Sequence, residues 1–307
     1  MLYESLKLNN TLIANLPGPN EKNITYSYNQ NILNSYDIYL PESKFDDAPL
    51  LIWIHGGAWV SGDKSDYYYF AKQLANNGIA TALVNYRLSS REKNGPFKYP
   101  GHALDCLNAF LYILRDSNHL KYSPNNIFIG GHSAGAQLAS LIALKPEAYL
   151  SGNQEEKNEK LSQISKIKGV VSLGGIFDLG LLSEQDESYK NDFLIPAFGE
   201  DLTNNNKELS SWEEASPQSM AKNDIKNLKY KQLPSILLMH SIQDTLVNQS
   251  QAINFDAKLK SLNFTNIAVN QGKYGNHYDI PNHLDVINGV TSFILYVSKI
   301  KPSLFKF

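Results

Sequence analysis

The fold is decided by Ile127-Phe128-Ile129-Gly130-Gly131-His132-Ser133-Ala134-Gly135-Ala136-Gln137-Leu138. The apolar run at its start is typical of a buried strand, and the residues from Ala136 onward favour a helix. Between them, Gly131 to Gly135 fit the pattern G-x-S-x-G, in which a serine stands on a sharp strand-to-helix turn. The glycines let strand and helix pass close together, and the helix N-terminus presents free N–H groups beside the Ser133 hydroxyl. We therefore predict that Ser133 is a nucleophile; the alternative is a glycine-rich turn without chemistry.

Length and composition indicate an ordinary globular protein. The chain has 307 residues, of which 42% are hydrophobic and 19% charged, so it can bury a sizeable core. Its net charge of -2 comes without a basic run, and nothing points to a nucleic-acid partner. The single cysteine, Cys106, falls in an apolar helical pattern, which predicts a buried, inert thiol. No run reaches membrane-spanning length and residues 1–7 do not resemble a signal peptide, so we expect a cytoplasmic location.

Strand and helix patterns alternate along the chain. Strands are predicted over 24–28, 36–40, 50–54, 79–85, 127–129, 167–173, 235–239 and 267–270, and helices over 65–76, 100–116, 136–144, 249–262 and 281–298. The first two strands alternate in polarity, which predicts an antiparallel pair at a sheet edge, after a polar N-terminal arm. The order predicts an α/β fold with a mostly parallel, doubly wound sheet and helices on both faces.

Two stretches interrupt this alternation. Residues 151–160 are polar, and we predict a solvated loop there. Residues 179–233 separate two core strands and are too long for a plain connection. Their mixture of acids and aromatics predicts a small cap or lid inserted into a single domain that spans residues 1–307. We call residues 179–233 the insertion.

A glycine-rich segment follows the strand predicted over residues 50–54. We call His55-Gly56-Gly57-Ala58-Trp59 the oxyanion loop, because a serine hydrolase needs backbone N–H donors where the carbonyl oxygen becomes an anion. Small residues let the backbone come that close. Gly57 and Ala58 are the predicted donors from this loop, and Ala134, directly after the nucleophile, is the third. The alternative is a tight glycine turn.

An acid and a base follow the nucleophile in the order Ser, Asp, His that an α/β-hydrolase arrangement requires. Asp244 lies after the strand predicted over residues 235–239, and His277 lies after the last predicted strand. His277 would accept the serine proton, and Asp244 would fix the imidazole tautomer. Asp279 remains a rival acid. His283 is the other late histidine, but its place in the predicted closing helix favours a surface or packing role.

These motifs resemble those of the α/β-hydrolase superfamily, and within it the hormone-sensitive-lipase-like carboxylesterases with an H-G-G-x-W loop. The resemblance spans about residues 30–295, and Ala58 stands where many relatives have a third glycine. Similar segments are Ser61-Gly62-Asp63-Lys64, Asn85-Tyr86-Arg87-Leu88 and Ala215-Ser216-Pro217. Residues 167–179 and His277-Tyr278-Asp279-Ile280 resemble kynurenine formamidases, and similar segments occur in acetyl-xylan and feruloyl esterases.

The sequence thus predicts a serine hydrolase of small-molecule esters or amides, with an acyl-enzyme intermediate and without a cofactor. Trp59 and Tyr278 are the predicted pocket residues, and Trp59 with the aromatic insertion favours short acyl groups. Alternatives within the class are an arylformamidase acting on N-formylkynurenine and an acetyl-xylan or feruloyl esterase. A catalytically silent ligand-binding protein is the alternative of another class. No metal site or dinucleotide site is predicted, because ligand spacing and the pattern G-x-G-x-x-G are both missing.

Overall fold

The computed structural model describes residues 18–27, 31–42, 48–92, 95–115, 122–123, 125–202, 209–228 and 232–300. The strands are β1 Glu21–Thr25, β2 Ser35–Tyr39, β3 Leu50–Ile54, β4 Ala80–Val84, β5 Ile127–His132, β6 Ile167–Leu173, β7 Ser235–Ser241 and β8 Ile267–Gly272. They form one eight-stranded sheet in the order β1-β2-β4-β3-β5-β6-β7-β8. β2 pairs antiparallel with both β1 and β4, and the other neighbours are parallel. The predicted mostly parallel sheet with an antiparallel edge is confirmed.

Helices cover both faces of this sheet. Those between β3 and β6, in chain order, are Tyr68–Asn76, Gly101–Arg115, Ala134–Leu144 and Gln154–Ile164, and the two that follow β7 and β8 are Ser250–Ser261 and Leu284–Val297. Short 3₁₀ segments lie at Lys64–Tyr67, Pro146–Tyr149 and Ile280–Asn282. The five predicted helices are confirmed to within a few residues at each end, apart from the positions beyond Arg115.

The core is divided by the sheet into two layers. Leu50, Ile52 and Ile54 of β3 belong to the first apolar cluster, which includes Gly101–Arg115 and Ala134–Leu144. Leu51 and Trp53 belong to the second, which includes Tyr68–Asn76 and Leu284–Val297. Successive side chains of a strand point to opposite faces, so a strand buried on both sides must be apolar throughout. This explains the continuous apolar run of β3 and makes the fold doubly wound.

One predicted loop is a helix. Residues 151–160 carry the start of Gln154–Ile164, which begins with a capping box in which Asn153 and Glu156 each accept the other's backbone N–H. Leu161 and Ile164 anchor the helix to the core. The prediction of a solvated loop is therefore wrong, because the apolar anchors lie just beyond the polar stretch.

The insertion lies between β6 and β7 and contains short helical segments. They are Leu179–Gln185, Glu187–Tyr189, Lys190–Leu194, Ile195–Phe198, Ser211–Glu214, Pro217–Ser219 and Lys222–Asn227. The predicted N-terminal arm falls mostly on residues 1–17, which lie outside the described residues. Cys106 is buried as predicted, and burial raises the pKa of its thiol. Within the described ranges, no helix has the length and apolar character needed to cross a membrane.

Candidate active site

Ser133 stands between β5 and the helix Ala134–Leu144 in a strained backbone conformation. Its φ of 56° and ψ of −122° lie in a region that residues with a side chain rarely adopt. Its N–H donates to the carbonyl of Leu173, the last residue of the neighbouring strand β6, at 2.9 Å. The turn therefore holds the serine at the carboxyl end of the sheet, where sites of open α/β sheets form.

The glycines on either side of Ser133 make this turn possible. A Cβ on Gly131 would lie 2.3 Å from the carbonyl carbon of Gly135, and a Cβ on Gly135 would lie 2.1 Å from the carbonyl oxygen of Ile54. Both distances are far shorter than atoms tolerate, and both obstacles are backbone. The spacing G-x-S-x-G is thus required by close contact between strand, helix and β3.

Asp244 and His277 meet beside this turn. Asp244 follows β7, His277 follows β8, and these strands are parallel neighbours in register from Ile236↔Ile267 to Ser241↔Gly272. The Nδ1 atom of His277 lies 2.6 Å from Oδ2 of Asp244, and both side chains are almost fully buried. The other oxygen, Oδ1, accepts the N–H groups of Leu246 and Val247 at 2.9 Å.

Electrostatics keep Asp244 charged. Burial alone would raise the pKa of its carboxyl, but the hydrogen bond and charge of His277 and the N–H of Val247 outweigh burial, so the pKa is lowered overall. An ionised Asp244 fixes the proton of a neutral His277 on Nδ1, which leaves Nε2 free to accept a proton.

The imidazole of His277 lies against His132 and against the end of β6, the strand that binds the Ser133 N–H. Its ring centroid is 4.5 Å from that of His132, the residue before the serine. A Cβ built on Gly174, the residue after Leu173, would lie 3.3 Å from both Nδ1 and Cε1 of His277. The structure therefore brings the predicted acid and base together at the end of the sheet that carries the predicted nucleophile.

The oxyanion loop also has an unusual backbone. Gly57, Ala58 and Trp59 have φ of 119°, 51° and 62° in succession. The carbonyl of Gly57 accepts the N–H groups of Val60 and Ser61, which closes the turn. Among the described residues, the N–H groups of Gly57, Ala58 and Ala134 have no acceptor. Free donors at these three positions are what an oxyanion site requires.

The two predicted pocket residues differ in exposure. Trp59 is 0% exposed: its indole N–H donates to Gln137 at 3.1 Å, and its ring packs edge-on against Phe198 of the insertion at 4.7 Å. Tyr278 is 50% exposed and packs edge-on against His277 at 5.6 Å. Tyr278 is thus available at the surface beside His277, the predicted base, whereas Trp59 fills space behind the oxyanion loop.

The rival residues have other partners. Asp279 accepts the N–H of Asn276 at 3.0 Å, within its own turn. His283 does not lie inside the closing helix but caps its N-terminus, where its Nδ1 accepts the N–H of Asp285 at 3.3 Å. In the described part of the chain, no group of three or more His, Cys, Asp or Glu side chains could hold a metal ion.

Three buried side chains near the site were not predicted from sequence. Tyr67 lies 2.8 Å from Nδ1 of His132, and Nε2 of His132 lies 3.0 Å from the carbonyl of His277. His240 lies 3.5 Å from Asp244 and 2.8 Å from the carbonyl of Val247. Burial lowers the pKa of both His132 and His240. The only signal in the sequence was the position of His132 beside Ser133 and of His240 at the end of β7.

Comparison with known proteins places this chain in a family. The model of the family BD-FAE matches residues 36–259. The chain belongs to the BD-FAE family. An isoprenylcysteine alpha-carbonyl methylesterase of Arabidopsis thaliana is 25% identical over 244 residues, 76% of this chain and 52% of that protein. The probable carboxylic ester hydrolase LipM of Mycobacterium tuberculosis is 26% identical over 220 residues, 70% of this chain and 46% of that protein. This BD-FAE chain thus spans about half the length of the curated relatives it matches.

Solved structures agree on the fold. A truncated carbohydrate esterase from gut microbiota matches with a TM-score of 0.71 at 20% identity, over 92% of this chain and 100% of that chain. A bacterial heroin esterase matches with a TM-score of 0.65 at 18% identity, over 99% and 90%. These likenesses confirm the predicted α/β-hydrolase fold, and the named relatives confirm the predicted kinship with ester hydrolases.

Proposed function

We propose that this chain hydrolyses carboxylic esters through an acyl-enzyme, with Ser133 as nucleophile, His277 as base and Asp244 as the residue that orients the base. The observation that carries the proposal is the 2.6 Å contact between His277 and Asp244, beside a serine with a strained backbone. Strained conformations and paired, buried titratable groups both concentrate at functional sites. The names of the relatives, a methylesterase and a carboxylic ester hydrolase, agree with this reaction class.

The proposed reaction has two parts. The Ser133 oxygen bonds to the ester carbonyl carbon while His277 takes the hydroxyl proton on Nε2, and the carbonyl oxygen becomes an anion that accepts the N–H groups of Gly57, Ala58 and Ala134. The tetrahedral intermediate collapses, and the alcohol leaves with the proton from His277. Water then repeats these steps on the acyl-enzyme and releases the acid. Asp244 stabilises the imidazolium in both parts.

Short acyl groups are part of the proposal because aromatic rings fill the space behind the oxyanion loop. Trp59 packs against Phe198, and Phe198 packs against Tyr99 at 5.3 Å between ring centroids. Phe198 and Trp59 are both buried. A long acyl chain would have to displace this packing. We expect Phe198→Ala to raise the relative rate on hexanoyl over acetyl p-nitrophenyl esters, and an unchanged preference would contradict this placement of the acyl group.

The insertion is proposed to be a fixed cap of a single domain rather than a moving lid. The ammonium group of Lys98 donates hydrogen bonds to the carbonyls of Ile195 and Pro196 at 2.8 and 2.9 Å. Gln137, in the helix that follows Ser133, donates to the carbonyl of Ala215 at 2.8 Å. These buried or half-buried bonds would have to break before the insertion could open. The cytoplasmic location stays a prediction from the sequence.

A labelling experiment tests the enzyme. We expect a fluorophosphonate probe to label the protein and p-nitrophenyl acetate to be hydrolysed, and both to be lost in Ser133→Ala. Ser140→Ala is a matched control, because Ser140 is a buried serine of the helix that follows Ser133 and its hydroxyl donates to the carbonyl of Ala136 at 2.8 Å. Labelling that persists in Ser133→Ala would overturn Ser133 as the nucleophile, and no labelling of the unmodified chain would favour a silent ligand-binding protein. Hydrolysis of N-formylkynurenine in preference to acetyl and feruloyl esters would instead favour the arylformamidase.

A further inference from the structure

A chain of buried hydrogen bonds runs beneath Ser133 from the oxyanion loop to the base. The N–H of Gly56 donates to the Tyr67 hydroxyl at 2.9 Å, the hydroxyl lies 2.8 Å from Nδ1 of His132, and Nε2 of His132 lies 3.0 Å from the carbonyl of His277. The first group can only donate and the last can only accept. For a neutral His132 the direction is therefore fixed: Tyr67 donates to Nδ1, and His132 carries its proton on Nε2.

The two side chains in the middle are shielded from water. Tyr67 is 7% exposed and His132 is 3% exposed. The Tyr67 hydroxyl and both ring nitrogens of His132 take part in these hydrogen bonds, so replacing either side chain leaves a buried partner without its hydrogen bond. The ring of His132 is also 4.5 Å from that of His277. A neutral His132 leaves His277 free to become the imidazolium that the reaction needs, and burial keeps His132 neutral.

The chain joins segments that come from distant parts of the sequence. Gly56 belongs to the oxyanion loop after β3, His132 ends β5, and His277 follows β8. A Cβ on Gly56 would lie 3.0 Å from both the carbonyl of His132 and the Tyr67 hydroxyl, so the loop is packed directly on this chain. The oxyanion donors and the base must both be placed correctly around one carbonyl group, and an error of about 1 Å costs on the order of 100-fold in rate.

We infer that Tyr67 and His132 are positioning residues that set the oxyanion loop and the His277 loop relative to Ser133. Neither touches the reacting atoms, and the inference rests on the proposed function. Tyr67→Phe removes one oxygen and breaks the chain at its centre. His132→Asn keeps an acceptor near Nδ1 but is too short to reach the carbonyl of His277.

Kinetics with p-nitrophenyl acetate test the inference. We expect each variant to lower kcat about 10- to 100-fold with KM within about threefold. The reason is that binding of the substrate depends little on the alignment of the oxyanion donors and the base, whereas the transition state depends on it strongly. The double variant should lose no more than the worse single variant, because a chain broken once transmits nothing further. Tyr26→Phe is the matched control: Tyr26 is 8% exposed, donates to the carbonyl of Asn85 at 2.6 Å and accepts from Asn34 at 3.2 Å. Tyr26→Phe should lose about as much thermal stability as Tyr67→Phe and keep the kcat of the unmodified chain.

The outcomes separate this inference from the proposed function. If the unmodified chain has no esterase activity, both are overturned. Suppose that the unmodified chain is active and Ser133→Ala is not. The positioning role alone is then overturned if Tyr67→Phe and His132→Asn keep their kcat, or if the loss of kcat in the double variant is the product of the two single losses. A readout that needs no variant is the imidazole ¹⁵N spectrum at pH 7. We expect His132 to be neutral with its proton on Nε2, and a proton on Nδ1 would overturn the proposed series of hydrogen bonds.

Discussion

Replacing Gly57 by alanine should disable the proposed oxyanion site while leaving the fold in place. A Cβ at this position would lie 2.0 Å from the carbonyl oxygen and 2.5 Å from the carbonyl carbon of Ser61, and 3.0 Å from the N atom of Gly62. All of these atoms are backbone, so no side chain can swing away. An ordinary contact begins at 3.4 Å, so the loop must open by about 1.4 Å at Ser61.

The size of the effect follows from this displacement. The opening would strain the bonds from Val60 and Ser61 to the Gly57 carbonyl and tilt the adjacent N–H donors. Losing one oxyanion donor costs about 10²- to 10³-fold in kcat, or about 3–4 kcal/mol of transition-state stabilisation. KM should change little, because the ground-state carbonyl depends less on these donors than the anion does.

Gly199→Ala separates this clash from simple backbone strain. Gly199 also has a positive φ, 85°, but a Cβ there would meet nothing within 4 Å. Both variants should lose about 1–3 kcal/mol of stability through the positive-φ backbone conformation. Gly57→Ala should lose more because of its clash, and only Gly57→Ala should lose kcat. The assay is steady-state hydrolysis of p-nitrophenyl acetate, with thermal unfolding by circular dichroism. A folded Gly57→Ala with the kcat of the unmodified chain would refute the assignment of the oxyanion loop.

Three further outcomes are expected. Asp244→Asn should lower kcat about 10⁴-fold with little change in KM, because an amide does not hold the proton of His277 on Nδ1; steady-state kinetics would contradict this if kcat fell less than tenfold. Burial lowers the pKa of His55 to about 4 and that of His102 to about 3, from 6.5. Since the unfolded chain binds these protons first as the pH falls, the free energy of unfolding should decrease between pH 6.5 and 4.5, by up to about 1.4 kcal/mol per histidine per pH unit; equal urea midpoints at both pH values would contradict this. The rate of p-nitrophenyl butyrate hydrolysis should rise smoothly as the substrate concentration passes its solubility limit, because Gln137 and other side chains anchor the insertion. An abrupt increase in rate at that concentration would indicate a moving lid.

The relation between Ser133, Asp244 and His277 could be predicted because it depends on chain order and strand position. In a parallel sheet every strand delivers its last residue to the same edge. β7 and β8 are neighbours, so the loops that follow them meet, and Asp244 contacts His277. The strained turn that carries Ser133, the proposed nucleophile, was predictable for a local reason: only glycine fits at positions 131 and 135.

Contacts made by single side chains across the fold could not be predicted. Trp59 reads in the sequence as a pocket residue, but Gln137, 78 positions away, binds its indole N–H and Phe198 covers its ring. The helix Gln154–Ile164 was missed for a different reason. Its exposed face is polar, and its signal lies in the Asn153 and Glu156 capping box rather than in apolar periodicity.

Backbone strain is common to the two parts of the proposed site, the oxyanion loop and the turn at Ser133. Six residues other than glycine have positive φ in the described ranges, and three of them are Ala58, Trp59 and Ser133. Two of the others, at positions 23 and 263, are asparagines, which tolerate this conformation. Each strained residue costs about 1–3 kcal/mol and persists only where its surroundings enforce it. A glycine at position 58 would remove that cost and still supply an N–H. This chain has alanine at the strained position 58, directly beside Trp59, whose buried ring and indole hydrogen bond hold the loop. The loop is therefore rigid through packing rather than through the choice of a flexible residue, as fixed oxyanion donors require.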